Sequence, residues 1–166
     1  MGSGKTTIGV PLARSLHRPL VDNDQQLADH SGTTAAELAE REGVDALHHA
    51  EAENLLAALR GPADSVITAA ASTIVSREVR DALEQDAFVV WLRADPAALA
   101  ARMATSETRP FSSGDPARVV AQQARERDPL FAQVADLVLE ADRLTPGAVV
   151  AQILERLPSG LMGTGA

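Results

Sequence analysis

Gly2-Ser3-Gly4-Lys5-Thr6-Thr7 opens the chain with the residue types of a phosphate-binding loop. In a loop of the form G-x-x-x-x-G-K-[ST], backbone N–H groups and the N-terminus of the following helix converge on phosphate oxygens. The lysine ammonium reaches the β- and γ-phosphates, and the adjoining hydroxyl ligates Mg²⁺. Gly4, Lys5 and Thr6 fill the closing positions, whereas the opening glycine would fall two positions ahead of Met1. The same stretch also reads as a flexible Gly/Ser-rich terminus. What separates the two readings is the next segment: Thr7, Ile8, Val10, Leu12, Ala13 and Leu16 recur at roughly helical spacing, so a helix starts where Lys5 and Thr6 need one. Pro11 within it predicts a local kink.

A second group follows at Val21-Asp22-Asn23-Asp24, two carboxylates two residues apart at the end of an apolar run. In extended geometry both point to one side, towards the crevice where open α/β sheets bind ligands. One carboxylate would hold Mg²⁺ through water and the other would orient or deprotonate an attacking hydroxyl. The alternative is a turn and helix N-cap, roles that Asp and Asn fill through local hydrogen bonds. The phosphate loop nearby favours the chemical role.

The elements that must position these groups alternate between short apolar runs and Ala-rich amphipathic stretches. Strands are expected at Pro19-Leu20-Val21, Ser65-Val66-Ile67-Thr68, Phe88-Val89-Val90-Trp91-Leu92 and Leu137-Val138-Leu139. Beyond the opening helix, further helices are expected around 24–30, 34–41, 44–60, 76–85, 95–103, 116–127 and 145–157. The expectation is one α/β domain of three layers, a P-loop NTPase fold with a parallel sheet flanked by helices on both faces. The first central strand, which should precede the loop, is missing from this sequence, predicting an apolar trench between unpaired strand edges and a natural start upstream of Met1.

Composition narrows the function class. Aromatics are only 2% of the chain, so the core must be built from Ala, Leu and Val. A formal charge of −8 disfavours a nonspecific nucleic-acid binder, which needs a basic face, but leaves room for a few local cations around a nucleotide. The absence of cysteine removes disulfides and thiolate chemistry. No apolar run is long enough to cross a bilayer and no secretory pattern opens the sequence, so a soluble cytoplasmic protein with a small-molecule substrate is expected.

Taken in order, these parts resemble the shikimate kinase family of small P-loop kinases. Its G-S-G-K-[ST]-T is similar to residues 2–7, its D-x-D to Asp22-Asn23-Asp24, and its E-G-x-x-x-F-R-x-x-E to Glu42-Gly43-Val44-Asp45-Ala46-Leu47-His48-His49-Ala50-Glu51. Its lid R-P resembles Arg109-Pro110, with Arg102 at the family's spacing before it. Its R-x-P-L-[YF]-x-x-[VA]-A resembles residues 127–135, and its adenine-side loop resembles the stretch from Asp142 to Pro146.

The resemblance implies one kinase domain over 1–158, with a lid at about 104–115, a flexible tail at 159–166 and a monomeric state. It also implies Mg²⁺ as cofactor and a place in aromatic amino acid biosynthesis. Gly2, Ser3, Gly4, Lys5, Thr6 and Thr7 would hold ATP, with Thr6 and Asp22 near the metal and Arg102, Asp142 and Pro146 at the adenine side. Lys5, Asp24 and Arg109 would be catalytic; Asp24, His48, Ala70 and Arg127 would face the acceptor, Arg127 pairing with its carboxylate. The implied reaction is transfer of the γ-phosphoryl of ATP to a hydroxyl of shikimate. A kinase for another acceptor, such as a sugar acid or cyclitol, or a nucleotide-binding relative with little turnover, is the alternative.

Simpler readings stand beside these roles. Arg109 lies in a polar stretch where arginine is usually just solvated, Arg102 could be an exposed helix residue, and Glu51 a solvated helix carboxylate. Arg127, at the end of the 116–127 helix, could complement the helix dipole. Two departures bear on the acceptor. His48 stands where the family carries an arginine, and imidazole cannot match the permanent two-pronged grip of a guanidinium. Ala69-Ala70-Ala71-Ser72 stands where the family has a glycine triplet, adding methyls to the pocket floor, with the Ser72 and Thr73 hydroxyls in partial exchange. His48 and His49, adjacent on a helix, should point different ways and not form a metal pair.

Overall fold

A computed structural model of the chain describes residues 4–61, 64–104 and 115–161, with the backbone alone at 102–104 and 116. The amphipathic stretches form α1 (Lys5–Leu16), α2 (Asn23–Ser31), α3 (Ala35–Glu42), α4 (Val44–Leu59), α5 (Arg77–Asp86), α6 (Pro96–Ala104), α7 (Pro116–Val134) and α8 (Pro146–Arg156). The apolar runs form β1 (Leu20–Asp22), β2 (Val66–Thr68), β3 (Val90–Arg93) and β4 (Leu137–Glu140), with 3₁₀ turns at Thr73–Val75 and Ser159–Leu161.

All observed pairing is parallel. β1 pairs with β2, placing Asp22 beside Thr68, and β3 pairs with β4, placing Arg93 beside Glu140. Alternate side chains of a strand face opposite sides, and β2 shows what that does here. Val66 packs with Ile8, Leu12 and Leu16 of α1 and Val149, Val150 and Ile153 of α8, whereas Ile67 packs with Leu55 and Leu56 of α4 and Val79 of α5. Helices therefore cover both faces, giving three layers. β3 repeats the logic, with Val90 and Leu92 against the α1–α8 cluster and Trp91 stacked on Phe131 of α7 at 5.3 Å.

The two strand pairs are separate two-stranded sheets. Between them lies a cleft of about 430 Å³, whose apolar lining includes Ile8, Leu12, Val66, Val90 and Leu92. Its position matches the apolar trench expected between strand edges. Burying the α1–α8 cluster holds the halves together across it, since Ile8, Leu12 and Leu16 share one core with Leu137 and Leu139 of β4.

α1 remains one helical segment with Pro11 inside it, a position that has no amide to donate. One helix differs from expectation. α7 continues through Pro129 to Val134, past the expected end at Arg127. Stacking of Phe131 on Trp91 and burial of Val134 hold the extra turns in place despite the lost backbone bond. No helix among the described residues is long and apolar enough to cross a membrane.

Candidate active site

The site begins at Gly4, whose φ of 85° lies in the left-handed region that favours glycine. From it the backbone turns directly into α1 with no side chain capping the first turn and no acidic residue in it. The first-turn N–H groups, Lys5 and Thr6 included, remain open to an anion, and the helix dipole favours negative charge there. α1 is seated very closely on the β1–β2 pair. A Cβ built at Gly9 would lie 2.5 Å from Thr68 Cγ2 and 3.2 Å from Leu20 Cδ1, so glycine at position 9 lets the helix approach this far.

β1 ends where the chemistry starts. The extended geometry expected through Asp24 stops at Asp22, and Asp24 lies in the first turn of α2. Asp22 is the N-cap, its Oδ1 accepting from the Asp24 N–H at 3.1 Å, because capping satisfies an otherwise unpaired helix donor. Its other oxygen, Oδ2, accepts from Thr6 Oγ1 at 3.2 Å. One carboxylate thus serves both as cap and as partner of the phosphate-loop hydroxyl. Asp24 is exposed at the head of α2.

Asn23, between them, is fully buried and donates from Nδ2 to the Glu51 carbonyl at 3.1 Å, fastening α2 to α4. Sequence reasoning missed this anchor, since an Asn between two Asp reads as turn chemistry. Glu51 is likewise no solvated helix residue: it is 7% exposed and accepts a hydrogen bond from the Ser72 hydroxyl. Burial pushes its carboxyl pKa up and Asp24 adds to that, while the Ser72 hydrogen bond, Lys5 and Arg127 act the other way.

Arg127 lies well inside α7 rather than at a helix end, so it does not complement a C-terminal dipole. Burial lowers its pKa while Glu126 and Glu51 raise it. Neither Arg127 nor Lys5 has an ion-pair partner among the described residues. Both line the cleft together with Ala70. His48 is half-buried, and burial followed by the Arg127 charge pushes its pKa down, with Asp45 opposing. His49 is exposed and meets Glu53 at 3.4 Å.

The loop after β2 is rigidly held. The Thr73 hydroxyl donates to the Ala70 carbonyl at 2.7 Å, and Arg80 Nη1 donates to the Ile74 and Val75 carbonyls at 2.8 and 2.9 Å. The alanines at 69–71 sit in this loop without positive φ. Asp142 lies in the turn after β4 with a buried Oδ1 that has no partner among the described residues, and Pro146 is the first residue of α8. Thr7 is exposed on α1. Gly2, Ser3, Arg109 and the Arg102 side chain lie outside the described residues.

The structure therefore presents an uncapped helix N-terminus, a hydroxyl–carboxylate pair, an exposed aspartate and two cations without an ion-pair partner among the described residues, with a buried glutamate on α4. The family model for shikimate kinase matches residues 1–158. This chain belongs to the shikimate kinase family. A shikimate kinase from Symbiobacterium thermophilum is 38% identical over 160 residues, spanning 95% of this chain and 91% of that protein. One from Pseudomonas syringae pv. tomato is 36% identical over 159 residues, with the same shares covered. Among solved structures, a shikimate kinase from Acinetobacter baumannii in complex with shikimate superposes with a TM-score of 0.82 at 26% identity, covering 93% of this chain and 87% of that one. The shikimate kinase from Aquifex aeolicus, at 24% identity and a TM-score of 0.79, shares the fold over 93% of this chain and 90% of its own.

Proposed function

We propose that this chain transfers the γ-phosphoryl group of ATP to a hydroxyl of shikimate. The observation that carries the reading is that Lys5 and Arg127, which have no ion-pair partner among the described residues, line the same cleft beside the uncapped N-terminus of α1. Lys5 and the first-turn amides of α1 bind the phosphates, and Gly2 and Ser3 extend that cradle. Arg127 binds the carboxylate of the acceptor. Asp24, exposed at the head of α2, receives the proton of the acceptor hydroxyl as it attacks the γ-phosphorus. Arg109 meets the transferring phosphoryl group from the lid, and Arg102, Asp142 and Pro146 lie towards adenine.

Thr6 Oγ1 and Asp22 Oδ2 present two hard oxygens 3.2 Å apart at the foot of α1. They fit Mg²⁺, which prefers few protein oxygens and takes the rest of its shell from phosphates and water. Consistent with that sparse donor set, the described residues contain no cluster of three or more His, Cys, Asp or Glu side chains suited to a metal. Mg²⁺ held there would supply charge neutralisation for the phosphates.

His48, held towards its neutral form, and the methyls of Ala70 and Ala71 favour a second reading in which a related acceptor is preferred. Steady-state kcat/KM for shikimate, a sugar acid and a carboxylate-free cyclitol separates the two. The shikimate reading requires shikimate to lead the series; a higher value for the cyclitol would overturn it. Nucleotide-dependent stabilisation without transfer to any of the three would identify a binding protein.

A further inference from the structure

α4, which carries Glu51, and α7, which carries Arg127, both pack on the Thr73–Val75 turn that follows Ser72, and the charges of Asp24 on α2, Lys5 on α1 and Arg127 act on the Glu51 carboxyl. A buried carboxylate beside a guanidinium ordinarily closes onto it, because a two-pronged ion pair satisfies both groups at once. Here it does not. Among the described residues Glu51 makes no ion pair, and its one side-chain partner is the Ser72 hydroxyl, which donates to Oε2. Its main chain is fastened independently, since the buried Asn23 side chain donates to the Glu51 carbonyl.

Ser72 is equally well fixed. It is 9% exposed and enters the Thr73–Val75 turn, where its carbonyl accepts from the Val75 N–H at 3.1 Å. The neighbouring Thr73 hydroxyl and the Arg80 guanidinium hold the loop from both sides. The hydroxyl therefore approaches Glu51 from an anchored platform and not from a mobile loop. A glycine at this position would offer no such donor, and an alanine would fill the space without one.

We propose that Ser72 is a positioning residue: by holding the Glu51 carboxylate it keeps that group from closing onto Arg127, and so leaves the Arg127 guanidinium open to the carboxylate of the acceptor. This rests on the acceptor reading given above. It also accounts for how a site with histidine at position 48 retains one undivided cation for an anionic substrate. The hydroxyl does no chemistry on the substrate. It decides which of two carboxylates, the protein's own or the ligand's, Arg127 receives.

The consequence is specific to binding of the acceptor. In Ser72→Ala, Glu51 turns to Arg127 and competes with shikimate, so KM for shikimate rises about tenfold, equivalent to about 1.4 kcal/mol, while kcat and KM for ATP stay within about twofold. Ser72→Thr keeps a hydroxyl and restores KM. The Ser72→Ala/Glu51→Gln double variant also lowers KM again, because the competing charge is gone; a purely packing role for Ser72 would give no such rescue.

A readout independent of turnover is the side-chain Nε–Hε resonance of Arg127 in ¹⁵N-labelled protein, assigned by its loss in Arg127→Lys. It should shift in Ser72→Ala and return in the double variant. An Arg127 resonance unmoved by Ser72→Ala, or a KM rise that Glu51→Gln fails to reverse, overturns the proposal. A wild-type chain that never phosphorylates shikimate, yet shows the Arg127 response, would refute the acceptor reading and leave the Ser72–Glu51–Arg127 arrangement standing.

Discussion

Adding one methyl at Gly9 tests how the phosphate loop is held against the sheet. On helix propensity alone Gly9→Ala should stabilise α1 by about 1 kcal/mol. The new Cβ, however, would lie 2.5 Å from Thr68 Cγ2 and 3.2 Å from Leu20 Cδ1. Comfortable carbon contacts lie near 3.5–4.0 Å, so α1 and β2 must separate by about 1 Å. Thr68 cannot swing away cheaply, being β-branched, 7% exposed and in mid-contact on a strand. Overpacking of this kind costs about 1–3 kcal/mol, which leaves a net destabilisation of roughly 0–2 kcal/mol. For a chain of this length that is a fall in Tm of up to about 8 °C. Thr68→Ser removes the clashing Cγ2, so Gly9→Ala/Thr68→Ser should recover much of the loss, with a favourable coupling of about 1 kcal/mol in a double-mutant cycle. Because α1 carries Lys5 and Thr6, the single variant should also lose part of its stabilisation by ATP. Differential scanning fluorimetry with and without nucleotide measures both effects. A Tm raised by Gly9→Ala, with an additive double variant, would refute the close seating of α1.

Further outcomes follow from the site. Lys5→Ala should abolish stabilisation by ATP, which in the wild type reaches about 2.7 kcal/mol at a ligand concentration one hundred times Kd; retained ATP affinity in a thermal-shift titration would remove Lys5 from the phosphate site. Asp24→Asn should keep that stabilisation and lose phosphoryl transfer by at least about a hundredfold, and unchanged turnover would exclude Asp24 as proton acceptor. For pH, Glu51 has its folded pKa raised above 4.5, so its contribution to stability is greatest below that value and declines as pH rises through the folded pKa. His48 has its pKa lowered below 6.5, so its contribution is complete above 6.5 and is lost as pH falls through the folded value. Urea midpoints from pH 4 to 8 should therefore lose the first slope in Glu51→Gln and the second in His48→Asn, and unaltered profiles in both would contradict the burial of these groups.

Much of this molecule was legible because its signals are local. Helical spacing from Thr7 to Leu16 marks α1, and short apolar runs mark the four strands among the described residues. The separated sheets and the cleft between them match the apolar trench expected from the half-complete phosphate-loop motif. What was not legible depends on partners distant in sequence. The helix expected over 116–127 continues to Val134, where Trp91, 40 residues away from Phe131, supplies the stacking that carries it onward. Asp22 and Asp24 looked like neighbours on a strand, and only the capping bond at Asp22 shows that the strand has already become a helix. Glu51 reads as a surface residue within α4 until Ser72, 21 positions later, is seen donating to it. Asn23 is hidden in the same way, because its partner is a backbone carbonyl that no side-chain pattern reveals.

Phosphoryl transfer to shikimate is tested most directly by mass spectrometry of shikimate incubated with the wild-type chain, ATP and Mg²⁺, with Lys5→Ala as control. The site described here predicts that shikimate gains one phosphoryl group in stoichiometric exchange for ATP consumed, and that the control yields none. A folded, ATP-stabilised wild-type chain that leaves shikimate unmodified would contradict it.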